Sequence, residues 1–150
     1  MMPMNTLGAD FKNVVFHRKK VYESNCCYVQ SKNTLVLTDR YAHTVYMYDT
    51  VEGTSRAITD HNIQEPRGCC VGPGDTVLVC RKNKNSIVHL TVDGDVLGTY
   101  PVDMEYLNSL CISKKASTLA VSKQPFWQEK VAVIQHVASM KPLVKCGNNI

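Results

Sequence analysis

No stretch of this 150-residue chain is apolar for more than about four residues, as in Val131-Ala132-Val133-Ile134. A membrane-spanning helix needs roughly 20, so none is encoded. The opening residues, MMPMNTLGADF, lack the basic start and apolar core of a secretory signal. Apolar positions spaced at 3.6 residues over the length of an ordinary helix are missing too, which argues against helical architectures. There is no Cys-x-x-Cys, no His-x-x-x-His, no Gly-x-Ser-x-Gly and no glycine loop of the phosphate-cradling kind. Paired zinc ligands and the common nucleophile and nucleotide motifs are therefore absent. Aromatic residues make up only 7%, and Trp127 is the single tryptophan.

What remains is enough for a packed domain. Apolar residues are 44% of the chain, well above a disordered composition. Seventeen basic and thirteen acidic side chains leave a mild net charge of +4. The seven cysteines read as small buried hydrophobes in a reducing compartment, with disulfide or metal use as the alternative. Of the adjacent pairs Cys26-Cys27 and Cys69-Cys70, one thiol each should point inward and one outward on a strand. A cytoplasmic location follows from this thiol usage.

The sequence repeats. Cys27, Cys69 and Cys111 are each 42 residues apart. The same step carries Thr34-Leu35-Val36-Leu37 onto Thr76-Val77-Leu78-Val79 and then onto Thr118-Leu119-Ala120-Val121. A period near 40 residues built only from short strand-like runs points to propeller blades. The first unit reads as strands over 26–29, 34–38, 44–48 and 54–58. The second reads as 68–71, 76–80, 86–92 and 96–100, with Asp93-Gly94 as a type I′ hairpin turn. The third reads as 109–113, 118–122, 130–135 and a fourth strand over 142–145. Residues 13–16 suggest the outer strand of an incomplete preceding blade. The expected fold is thus all-β: an open or half ring of about three four-stranded antiparallel blades. A tail over 1–12 precedes blades spanning 13–145, with repeats at about 25–66, 67–108 and 109–145, and a second tail covers 146–150. Closed propellers use four or more blades. The ring is therefore to be completed by the remainder of a longer chain or by a second copy in a homodimer.

The blade pattern has further detail. Pro66-Arg67-Gly68 opens an apolar strand, and Val36-Leu37-Thr38-Asp39 leads through a polar loop into the aromatic strand Thr44-Val45-Tyr46-Met47-Tyr48-Asp49. This order resembles NHL repeats, and among these the C-terminal propellers of tripartite-motif (TRIM-NHL) ubiquitin ligases. The loop-opening Asp39 becomes Arg81 in the second unit and Lys123 in the third. The resemblance implies a non-catalytic recognition platform for a protein partner, with single-stranded RNA as the alternative ligand. The RING and B-box segments that ligase chemistry requires are not in this sequence. A more distant alternative is a calcium-dependent, lactonase-like propeller hydrolase, for which Glu65, Asp103, Glu105 and Asn108 are the candidate ligands. No catalytic residue, metal site or cofactor is otherwise expected, and no membrane partner.

In a propeller, loops joining the second and third strands lie on the same face as the segments joining blades. That places Arg40, Tyr41 and His43 with Arg81, Lys82 and Lys84, and with Lys123, Phe126 and Trp127. Arg67, Tyr106 and Asn108 should lie close by. Cations that follow phosphates and rings that stack on unpaired bases are what single-stranded nucleic acid requires. Exposed aromatics also suit a protein interface. The basic run His17-Arg18-Lys19-Lys20 reads as a solvated connector. Under the RNA reading, affinity should fall steeply with added salt, and the triple variant Arg81→Glu, Lys82→Glu, Lys84→Glu should abolish binding. Unchanged affinity in a filter-binding titration would remove this loop from the interface.

Overall fold

The computed structural model describes residues 25–113, 115 and 118–123, and the backbone of 131–135. The expected tails, the strand over 13–16, the cluster at 17–20, Phe126, Trp127 and the strand over 142–145 lie outside these residues. Eleven strands are described, with a single 3-10 turn at Gln30–Lys32. The first sheet holds β1 (Cys26–Val29), β2 (Thr34–Asp39), β3 (Thr44–Asp49) and β4 (Thr54–Ile58) in sequential order. The second holds β5 (Pro66–Gly72), β6 (Thr76–Arg81), β7 (Ser86–Leu90) and β8 (Val96–Pro101), also in order. The third holds β9 (Leu107–Ile112), β10 (Thr118–Lys123) and β11 (Val131–Gln135). Every pairing is antiparallel.

The sheets fan from their first strands. β1 and β2 touch β5, while β5 and β6 touch β9. One apolar core lies between the first two sheets, with Val29, Val36, Val45 and Met47 against Cys69, Val77, Val79 and Val88. A second lies between the second and third sheets, joining Leu78, Cys80 and Ile87 to Leu110, Leu119 and Val121. The middle sheet is thus covered on both faces, and Val77, Leu78, Val79 and Cys80 are buried in succession. β2 of the first sheet instead alternates between buried and half-buried positions through Thr34–Leu37. The arrangement is open among the described residues.

The cysteine register is shifted in the middle blade. Cys27 pairs with Val36, Cys70 with Leu78 and Cys111 with Ala120. Cys70, not Cys69, is therefore the structural equivalent of Cys27 and Cys111. The cause is local: the β5–β6 turn has three residues, Pro73 to Asp75, where the β1–β2 turn has four, Gln30 to Asn33. A one-residue slip reverses which face a side chain occupies. As a result Cys69 joins the core shared with the first sheet and Cys70 packs against the other. Neither thiol of that pair points to solvent, contrary to the expected in-and-out arrangement. The Asp93-Gly94 turn also differs from the I′ expectation. Only Gly94 has positive φ (96°), and the N–H of Thr91 reaches the Asp95 carbonyl at 2.9 Å. A I′ turn requires positive φ at both central residues.

The backbones of the second and third sheets meet at Gly68. A Cβ there would lie 2.6 Å from the Ser109 Cα and 2.7 Å from the Asn108 carbonyl oxygen. Gly68 N–H also donates to the Cys80 sulfur at 3.1 Å. Gly68→Ala should therefore push the two sheets apart and cost about 1–3 kcal/mol, the range for forced overpacking. Urea unfolding with an unchanged midpoint would show that the contact is not needed.

Candidate functional site

Loop-opening Asp39 is buried, and its Oδ1 accepts N–H bonds from Tyr41 and Ala42 at 3.1 Å. This local turn presents Arg40 and His43 towards the segment leading into β5. There Arg40 Nη2 meets Glu65 Oε1 at 3.5 Å, and the Glu65 N–H donates to His43 Nδ1 at 3.0 Å. On its other side the Glu65 carbonyl accepts the Lys82 N–H at 3.2 Å. Glu65 thus bridges the β2–β3 and β6–β7 loops, and it does so at φ +47°, a left-handed conformation uncommon outside glycine. Its second oxygen, Oε2, is buried and has no hydrogen-bond partner.

Two neighbouring arginines are buried rather than solvated. Arg67 is 4% exposed and donates from Nη1 to Asn108 Oδ1 at 2.8 Å. Arg81 is 9% exposed. Its Nε donates to Ser86 Oγ at 2.8 Å and its Nη1 to the Asn62 carbonyl at 2.8 Å. Burial pulls the Arg81 guanidinium below its usual range. Asn62 is itself fixed by Asp60, whose carboxyl is held low by accepting the Asn62 N–H at 2.8 Å. In the middle blade, Arg81 therefore replaces the local turn of Asp39 with a tie back to the connection between blades.

The expected site residues divide accordingly. Arg40, His43, Lys82 and Glu65 meet at one blade boundary, and Arg67 and Asn108 meet at the next. Tyr41 is half-buried, with its ring 5.2 Å from the Arg40 guanidinium carbon. Lys84 and Tyr106 are exposed, and Lys123 is half-buried opposite Leu107 in β10. Phe126 and Trp127 lie outside the described residues. The burial of Arg67 and Arg81 corrects the sequence expectation that both belong to an open cationic stripe. Glu65, expected only as a calcium ligand, is the residue that organises the seam. At the opposite ends of the first two sheets, a polar groove of about 440 Å³ is lined by Lys32, Asp49, Arg56 and Asp93 among others.

Calcium does not fit the described residues. Asn108 Oδ1 and Glu65 Oε1 already face guanidinium groups, whose charge would repel a divalent cation. Asp103 and Glu105 are exposed. No cluster of three His, Cys, Asp or Glu groups suited to a metal occurs among the described residues. The charges gathered here are the buried Arg67 and Arg81 and the half-buried Arg40, against the buried Asp39 and the half-buried Glu65, an environment suited to an anionic or carbonyl oxygen.

The sequence matches no protein-family model and no curated protein. In three dimensions it is similar to hydrazine synthase of Kuenenia stuttgartiensis, with a TM-score of 0.66 and 17% identity over 77% of this chain and 34% of that one. It is also similar to a gluconolactonase of Xanthomonas campestris, with a TM-score of 0.59 and 14% identity over 75% of this chain and 44% of that one. A streptogramin B lyase gives a TM-score of 0.57 and 15% identity over 70% of this chain and 38% of that one. These likenesses establish an open β-propeller segment, and the chain spans less than half the length of each of these proteins. They do not single out NHL repeats. They also overturn the expectation of a non-enzyme, because the gluconolactonase and the lyase are enzymes on the same architecture. The want of a catalytic sequence motif is no argument for a passive platform on this fold. No described helix is long and apolar enough to cross a membrane.

Arg81→Ala should destabilise the chain by about 2–3 kcal/mol, the scale of a lost charged hydrogen-bond set. Lys84→Ala should stay within about 0.5 kcal/mol, as exposed substitutions do. Chemical denaturation of both variants checks the contrast, and equal midpoints would place Arg81 in solvent. For the same reason Lys82→Glu with Lys84→Glu is a cleaner probe of RNA binding than any variant that includes Arg81.

Proposed function

We propose that this chain is part of an enzymatic propeller acting on a small molecule with an ester or anionic oxygen, lactones being the first class to test. The observation that supports this is the Glu65 carboxylate, held on a left-handed backbone with one buried oxygen unmatched. Hydrolysis of a ring ester needs an acceptor for the proton of the attacking water and a cation near the oxygen that gains charge. Glu65 and the His43 imidazole are candidates for moving the proton. The Arg40 guanidinium beside Glu65 is the candidate for stabilising the oxyanion. Gluconolactonase and lyase activities on related architectures make the class chemically reasonable.

Acid release from gluconolactone and a panel of other small lactones should exceed the uncatalysed rate in the presence of the chain. Glu65→Gln, nearly isosteric, should lower kcat at least tenfold, the lower end of a general-base contribution being about a hundredfold, with an unchanged unfolding midpoint. Equal turnover in the variant, or no turnover across the panel, removes the reading.

A further inference from the structure

Six cysteines lie among the described residues, all as free thiols. Four border the two cores: Cys27 on β1, Cys69 and Cys70 on β5, and Cys80 on β6. β1 and β5 are in contact. Cys27 on β1 and Cys69 on β5 both face the core between the first two sheets, with Val29, Val36 and Val79 around them. The two thiols thus pack on the same core from facing strands across the blade boundary. They differ in access: Cys69 is 6% exposed, whereas Cys27 is half-buried. The neighbouring Cys69 thiol holds Cys27 below its ordinary range, while Cys27 and burial push Cys69 up. Cys70 and Cys80 are each pushed up to about 12, chiefly by burial. Cys27 therefore combines partial access with the most thiolate character of these four, which is the profile of an attacking thiol.

We propose that Cys27 and Cys69 form a reversible disulfide that fastens the first blade to the second when the chain meets a low-molecular-weight disulfide oxidant. The Cys27 thiolate attacks one sulfur of the oxidant, breaking its S–S bond, releasing one thiolate and leaving a mixed disulfide on Cys27. Cys69 then gives up its proton to solvent and attacks the Cys27 sulfur, expelling the second thiolate. Two protein thiols are oxidised to one disulfide, and one small disulfide is reduced to two thiols. The sulfurs must close from packing on the same core to about 2.05 Å. That is a side-chain movement between strands already in contact. The bond encloses almost the whole first blade in a covalent loop, and it lies two residues beyond Arg67, next to the seam that holds Glu65. A lock here restrains the boundary through loop-closure entropy, an effect that grows with loop length.

Oxidised glutathione is the probe. Exposure should remove two hydrogens from the intact chain, and trypsin should release residues 21–32 joined to residues 68–81. Cys26→Ser and Cys70→Ser should retain the cross-link, whereas Cys27→Ser and Cys69→Ala should each lose it. The oxidised wild type should melt at least about 5 °C higher than the reduced form, and dithiothreitol should reverse the shift. If Cys69→Ala is poorly folded, Cys27→Ser with the melting shift decides. The proposal fails if the joined peptide persists in Cys27→Ser. It fails equally if oxidation stops at a glutathione adduct, or if oxidised and reduced wild type melt together.

Discussion

A four-stranded sheet has two faces, and neither can be left to water if both are apolar. That constraint organises this molecule. The middle sheet is covered on both sides, so β6 and β7 are buried at nearly every position, including the small polar Ser86 and the imidazole of His89. The first sheet is covered by a described neighbour on one side only, and β2 there alternates. The seam of Arg40, Glu65, Arg67 and Asn108 exists because face-to-face packing brings the first strands of successive blades together. Loops that are far apart in sequence then become neighbours across each boundary.

Strand positions were legible because each strand is a short β-branched run closed by a polar turn, and because the pattern recurs. The expected limits fall within one or two residues of β1 to β11. The errors came where one residue changed the meaning of many. Cys69 looked equivalent to Cys27 because the interval was constant, yet the shorter turn before Thr76 moved that role to Cys70. Asp93-Gly94 suggested the commonest tight hairpin, whereas the Thr91–Asp95 hydrogen bond defines a longer loop.

The candidate site was less legible, for a different reason. A cation that opens a loop looks the same in sequence whether it faces solvent or reaches across a boundary. Arg81 takes the place of Asp39, and charge alone suggested a basic surface; the structure uses its length to tie Ser86 to Asn62. Arg67 was similarly spent on Asn108. Glu65 carries no motif, since its importance comes from its backbone bonds to His43 and Lys82, which only the fold brings close. A local sequence signal existed only for Asp39, an acidic residue followed by a polar loop, where the hydrogen bonds run within four residues.

The three-residue turn in the middle blade has an implication for how such chains can be rearranged. Modules cut at a constant interval and spliced in a new order would join strands out of phase around Pro73 to Asp75, presenting the wrong side chains to each neighbour. Shuffling or duplicating these blades must therefore follow paired strand positions, since a ruler laid along the polypeptide cuts through the wrong side of the pleat.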